Sequence, residues 1–256
     1  MDKYQGYLID LDGTVYRGEE KIEAAVRFVE KLYDKQIPYL FVTNNSAKRP
    51  QQVADKLEKL GVPARPQNVM TSSMAAASVM AEKLPKGAAI YMIGEEGLYS
   101  AMEEKGFKIV DKEADAVVIG IDRGLTYEKL ARACLEVRKG AAFFSTNPDV
   151  AFPSEEGLVP GNGSLTAVVS TATGCEPEFV GKPEAAIIEQ ALEMIGTNKE
   201  KTIMVGDNYD TDILAGIRAG IKTLLVHTGV TTREMLQDKQ IQPTHVVHSL
   251  SEWQID

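Results

Sequence analysis

The chain is poor in the features that staple, anchor or steer a protein by charge. Among its 256 residues there are two cysteines and one tryptophan. No apolar run approaches the roughly 20 residues that a membrane-spanning helix needs. Cys134 and Cys175 lie far apart, with no Cys or His at zinc-ligand spacing, so they read as thiols in a reducing compartment rather than as a disulfide or zinc framework. Positive charge is also scarce: 28 Lys and Arg face 37 Asp and Glu, a formal net charge of -9. That balance gives no basis for a nucleic-acid partner, which needs a cationic surplus on one face. The first residues enter a strand-like run without the long apolar segment of a signal peptide, so the expected setting is the cytoplasm, with no membrane partner. What is present, 44% hydrophobic and 25% charged residues, suits one large or two modest domains with a sizeable core.

The order of patterns is that of an α/β protein. An apolar run ending in Leu8-Ile9-Asp10 leads to a Gly-rich turn, and Ile22, Ala25, Val26, Val29 and Leu32 follow at helical spacing. Tyr39 to Thr43 is a second strand, then Pro50 opens a helix along Val53, Leu57 and Leu60 that Gly61 closes. Successive strand-helix units imply a parallel sheet. The grammar returns near the other end, in a helix over Ile187 to Ile195, the strand TIMV, a helix over Ile213 to Ile217 and the strand TLLV. Between them lies a stretch with strands of its own (AIYMI, ADAVVIGI, AAFFS) and helices over Glu96 to Lys105 and Tyr127 to Lys139.

Four pieces of this pattern carry chemistry. Asp10 and Asp12 stand two apart at a strand end, so both carboxylates face one side while Leu11 packs away. The plain alternative is a capped Asp-Gly turn. Thr43-Asn44-Asn45-Ser46 follows the second strand, at the edge where open α/β sheets place ligands, and its hydroxyls and amides suit phosphate oxygens or, equally, a helix cap. Lys182 sits between Gly181 and Pro183, where an ammonium could neutralise a nucleophilic carboxylate; a solvated surface lysine is the alternative. Gly206 to Asp212 follows the strand TIMV with hard oxygen donors suited to Mg²⁺: Asp207 as direct ligand, Asp212 in support, Asp210 exposed or capping.

Taken in order, DLDGT, TNNS, the GKP lysine and GDNYDTD resemble the four signature motifs of the haloacid dehalogenase-like phosphatases. The segments STNPD and PGNGS resemble the NagD-type, or 4-nitrophenylphosphatase-type, branch, whose cap is inserted between the second and third motifs. The resemblance implies a doubly wound parallel-sheet (Rossmann-like) core from 1–77 plus 179–256, with an inserted α/β cap at 78–178. It implies Asp10 as the nucleophile that becomes an aspartyl-phosphate, and Asp12 as acid and then base. Thr43, Asn44 and Asn45 would hold the phosphoryl group and Lys182 would offset its charge. Mg²⁺ would be held by the Asp10 carboxylate, the Asp12 carbonyl and Asp207, with Asp212 supporting. The turn from Gly13 to Gly18 would be a mobile flap.

The expected activity is therefore Mg²⁺-dependent hydrolysis of a small phosphorylated metabolite, such as a sugar phosphate or nucleoside monophosphate. Substrate choice is expected on the cap, in the loop Asn147 to Pro160, where Phe152 could pack on a leaving group or simply fill the cap core. Asp122 and Arg123 are a second candidate, or an ordinary surface ion pair. His227, His245 and His248 are expected to be structural or surface residues. A homodimer, where formed, is expected through the cap. A non-enzymatic phospho-aspartate receiver and a sugar-phosphate binding module are the competing readings.

Overall fold

The computed structural model describes residues 4–154 and 157–255. Two compact units divide the chain: one from the segments up to Thr43, Pro50–Met70 and Lys182 onward, the other from Asn44–Arg49 and Thr71–Gly181. The second unit is thus inserted in sequence into the first. Its edges differ from the expected cuts at 77/78 and 178/179. The first of those cuts falls inside a continuous helix, Ser72–Lys83, whose N-cap Thr71 accepts a hydrogen bond from Met74 N at 3.2 Å. Asn44–Arg49 joins the same unit because Ser72 and Ser73 hydroxyls donate to the carbonyls of Asn44 and Ser46, each at 2.8 Å.

The first unit is built on a six-stranded sheet in the order His245–Val247, Lys222–Val226, Thr202–Gly206, Gly6–Ile9, Tyr39–Thr43 and Val69–Thr71. The first five of these strands pair in parallel register, with Ile9 level with both Val205 and Phe41. These strands are continuous apolar runs, as a sheet covered on both faces requires. Ile9, Phe41, Val205 and Leu224 point into one cluster with Phe28, Val29, Leu32 and Leu57. The last four come from the helices Glu23–Asp34 and Pro50–Lys59, the latter opened by proline as expected. A two-stranded hairpin, Tyr16–Arg17 with Glu20–Lys21, follows the first strand.

The second unit has a parallel five-stranded sheet in the order Glu178–Phe179, Ala142–Ser145, Ala116–Ile119, Ala89–Ile93 and Lys108–Ile109. Val117, Ile119, Tyr91 and Phe143 pack there with Ala133 and Val137 of the helix Tyr127–Arg138. The expected loop Asn147 to Pro160 is in part an antiparallel hairpin, Ala151–Ser154 with Gly157–Pro160. Alternating Phe152 and Val159 pair across it. Glu155 and Glu156 of that segment lie outside the described residues, as do residues 1–3 and 256 of the expected core. Among the described residues no helix is long and apolar enough to cross a membrane.

Candidate active site

Strand order alone brings three chain segments to one edge of the first unit. The chain leaves its opening strand, Gly6–Ile9, toward Tyr39–Thr43 on one side and later returns as Thr202–Gly206 on the other. Such a reversal opens a crevice at the carboxyl ends of the strands. Asp10 sits one residue past the first strand, tied by its N–H to the Val205 carbonyl at 2.9 Å. Thr43 closes the second strand, and Asp207 follows the third. All three are buried.

Lys182 enters this edge from the start of the last segment and is only 2% exposed. Its Nζ donates to Asp10 Oδ1 at 2.5 Å, to Asp212 Oδ1 at 2.7 Å and to the Val42 carbonyl at 2.9 Å. The surface-lysine alternative therefore falls. Burial alone would depress the Lys182 ammonium, but the Asp10 and Asp212 carboxylates outweigh it and hold its pKa above the usual lysine range. Asp212 uses its other oxygen as well, accepting from Asn208 N at 3.1 Å. It lies in a single π-helical turn, Tyr209–Ile213, a local widening often found at functional sites. Asp210 is exposed and paired with Lys239 at 2.5 Å, away from the cluster.

Asp207 is held from two sides. Thr14 Oγ1 donates to its Oδ1 at 2.9 Å, and Val230 N donates to its Oδ2 at 2.7 Å. Two glycines make room: a Cβ at Gly13 would lie 2.4 Å from Asp207 Oδ2, and one at Gly229 only 1.9 Å away. Gly13 also needs its left-handed φ of 89° to turn the chain.

Asp10, Asp207 and Asp212 each offer a carboxylate oxygen within 4.8 Å of the others. Burial, then Asp212, raises the Asp10 pKa well above the carboxylate range, against the opposing pull of Lys182. Burial and Asp212 likewise push Asp207 up to about 6. Two such charges about 4 Å apart repel by roughly 4 kcal/mol at an effective dielectric constant of 20. Three carboxylates face one ammonium, so the donor set fits a divalent cation that prefers hard oxygen ligands. Asp12 stands outside this set; the residue is exposed overall, yet partial burial of its carboxyl raises its pKa while Lys56 opposes the shift.

The remaining expected residues lie in the second unit. Asn44 Nδ2 donates to Asp149 at 3.0 Å, and Asn147 Nδ2 donates to the Asn44 carbonyl at 2.9 Å. Asn45 Oδ1 accepts from Ala47 N and Lys48 N at 3.0 and 2.9 Å, a local turn that precedes the helix Pro50–Lys59 rather than a cap on it. Asp122 and Arg123 do not pair with each other. Asp122 binds Lys129 at 2.6 Å, while Arg123 binds Glu95 at 2.9 Å and lies 5.7 Å from the centre of the half-buried Phe152 ring. Elsewhere, Tyr4 Oη and His245 Nε2 share a hydrogen bond of 2.7 Å, and His227 Nδ1 contacts the Thr231 carbonyl at 2.9 Å, both structural roles.

Sequence reasoning missed the groups that hold Asp207: the Thr14 hydroxyl as its donor and the Val230 N–H. The backbone donor has no residue-type signature. Its only trace is position, in a Gly-containing turn after the strand TLLV at the same sheet edge.

Two stretches of the sequence match known families. Residues 7–108 match the profile of the haloacid dehalogenase-like hydrolases, and residues 179–253 match a second profile described as HAD-hydrolase-like. The chain belongs to the haloacid dehalogenase-like hydrolase family. Within that family it is 56% identical to 5'-nucleotidase YutF of Bacillus subtilis (strain 168), over 99% of this chain and 98% of the relative. It is 51% identical to an acid sugar phosphatase of Staphylococcus aureus (strain USA300), over 98% and 97% of the two chains. Among solved structures, a thermostable NPPase mutant from Geobacillus stearothermophilus superposes with a TM-score of 0.94 at 58% identity, covering 100% of both chains. NagD from E. coli K-12 superposes at 0.93 with 31% identity, covering 99% of this chain and 100% of that one. The NagD and NPPase type of haloacid dehalogenase-like fold is thereby shown for the chain.

Proposed function

We propose that this chain is a Mg²⁺-dependent phosphatase of small phosphomonoesters that works through an aspartyl-phosphate on Asp10. The observation that carries the reading is Lys182 Nζ, buried and shared between Asp10 and Asp212 at 2.5 and 2.7 Å beside Asp207. Burial raises the Asp10 pKa, so attack needs positive charge around it to keep the carboxylate ionised. Lys182 supplies part of that charge. Asp10, Asp207 and the Asp12 carbonyl, with Asp212 behind them, would hold Mg²⁺, which supplies Lewis-acid stabilisation of the phosphoryl charge.

In the first step an Asp10 oxygen bonds to phosphorus, the ester P–O bond breaks in line, and Asp12 gives a proton to the leaving oxygen. A raised Asp12 pKa suits that donation. In the second step water attacks the same phosphorus while Asp12 takes its proton, and the bond to Asp10 breaks to release phosphate. Thr43, on the same strand edge, and Asn44 and Asn45 just beyond it are the residues proposed to bind the phosphoryl oxygens. The inserted unit is proposed as the cap, with Phe152 and Arg123 as its candidates for substrate choice.

The substrate classes follow from relatives named as a nucleotidase, a sugar phosphatase and p-nitrophenyl phosphatases. A phospho-aspartate receiver would set its acids side by side, whereas Asp10 and Asp12 flank a Leu11 that is 1% exposed. We place the enzyme in the cytoplasm, with Cys134 and Cys175 as free thiols, and assign any homodimer to the cap. Phosphate release from nucleoside monophosphates, sugar phosphates and 4-nitrophenyl phosphate, with Mg²⁺ or with EDTA, tests the reading. Release that requires Mg²⁺ is expected; no release from any of them would overturn it.

A further inference from the structure

The Asp207 carboxylate is gripped by two segments that are themselves tied together. One oxygen accepts from Thr14 in the turn that leads from the first strand into the hairpin, the other from Val230 on the turn after Lys222–Val226. Between these segments runs a second set of bonds. Thr228 Oγ1 donates to the Gly13 carbonyl at 2.7 Å, and the Thr228 carbonyl accepts from Arg17 Nε at 2.7 Å and Nη2 at 2.5 Å. The result is a closed ring: Asp207, Thr14, the hairpin to Arg17, Thr228, Val230 and back to Asp207. Thr231 seals the turn onto the strand end, its N–H donating to the Asp207 carbonyl at 3.1 Å and its hydroxyl accepting from Tyr209 N at 2.7 Å.

We propose that Arg17, through Thr228, is a positioning residue that sets the divalent-cation affinity of the Asp207 site. A lone exposed side chain holding a lone carbonyl would contribute little. Here two N–H groups of one planar guanidinium fix one oxygen, so the turn is restrained in direction as well as distance. The turn and the hairpin each orient one oxygen of Asp207, and loosening either frees the carboxylate to rotate. Outer groups that orient a ligand change metal affinity by about 10 to 100-fold. Arg17 touches neither Asp207 nor, in the mechanism above, the substrate.

The inference rests on Asp207 being a metal ligand, and the test separates the two claims. Mg²⁺ binding to the full chain is measured by calorimetry, without substrate, for the wild type, Asp207→Asn, Arg17→Met, Arg17→Lys and Thr228→Val. Thermal unfolding in EDTA is followed alongside. Binding lost in Asp207→Asn and weakened about 10-fold in Arg17→Met, with partial recovery in Arg17→Lys, is the expected result. Thr228→Val removes the bond to Gly13 and should weaken binding in the same direction. A lower unfolding temperature with unchanged Mg²⁺ affinity in Arg17→Met would show a merely structural role and overturn the inference, while the metal site stands. Unchanged binding in Asp207→Asn would overturn both.

Discussion

Lys182 Nζ and Asp212 Oδ1 lie 2.7 Å apart with side chains 2% and 1% exposed, an ion pair sealed from solvent beside the proposed nucleophile. Removing one partner of a buried pair leaves the other uncompensated, at a cost of about 3 to 5 kcal/mol. Lys182→Met is therefore expected to lower the urea midpoint in EDTA by that much stability, because Asp10 and Asp212 both lose their cation. Added Mg²⁺ should return part of it. An unfolding curve matching the wild type would contradict the pairing.

Asp10→Asn separates chemistry from stability. It removes the proposed nucleophile, so turnover should fall by about 10⁴-fold or more. It also removes one of three clustered carboxylates, while Lys182 keeps Asp212 as a partner. The unfolding temperature in EDTA should hold or rise. A variant that unfolds earlier, or that keeps wild-type turnover, would count against the assignment.

Gly229→Ala tests how tightly Asp207 is enclosed. The added methyl would fall 1.9 Å from Asp207 Oδ2, so the turn or the carboxylate must shift. Misplacement of about 1 Å at a reacting centre costs on the order of 10²-fold. kcat/KM for 4-nitrophenyl phosphate should drop by about that factor, while the protein stays folded by circular dichroism.

Acid stability of the inserted unit should depend on Glu136. This carboxylate is 1% exposed, accepts from Lys139 Nζ at 2.9 Å and Ala114 N at 3.1 Å, and has Arg132 at 3.7 Å. The hydrogen bond from Lys139 comes first in lowering its pKa below the usual 4.5. A depressed folded pKa means that the contribution is whole above about 4.5, the unfolded value, and fades as pH falls through the folded one. Glu136→Gln should cost about 1.5 to 3 kcal/mol at pH 7. It should also flatten the loss of urea stability between neutral and acid pH; an unchanged slope would refute the role.

Much of this arrangement is legible in the sequence. Ile9, Phe41 and Val205 sit in continuous apolar runs, and the polar residues that follow each run mark the sheet edge where the carboxylates gather. The helices Ser72–Lys83 and Asn162–Thr173 were harder, because alanine, glycine, serine and threonine give no apolar stripe; Ala75, Ala76 and Thr166 are buried for their small size. The hairpin at Ala151–Ser154 was hidden by Pro153, a residue that argues against a strand. Lys182 could be singled out by its neighbours, yet its bond to the Val42 carbonyl is a matter of backbone placement. The same holds for the Val230 N–H and the Thr228 carbonyl, backbone groups without a residue-type signature.

Pairing of Gly6–Ile9 with Thr202–Gly206 also has a consequence for biosynthesis. During synthesis Asp10 emerges before Asp207, with the whole inserted unit between them. Until the late strand emerges, the early one lacks a neighbour on that side, and neither Lys182 nor Asp207 is there to meet Asp10. Such distant pairing is slow to form. On the proposed mechanism, a chain that ends before Lys182 would lack both the ammonium and the late carboxylates that Asp10 needs, whatever else of it had folded.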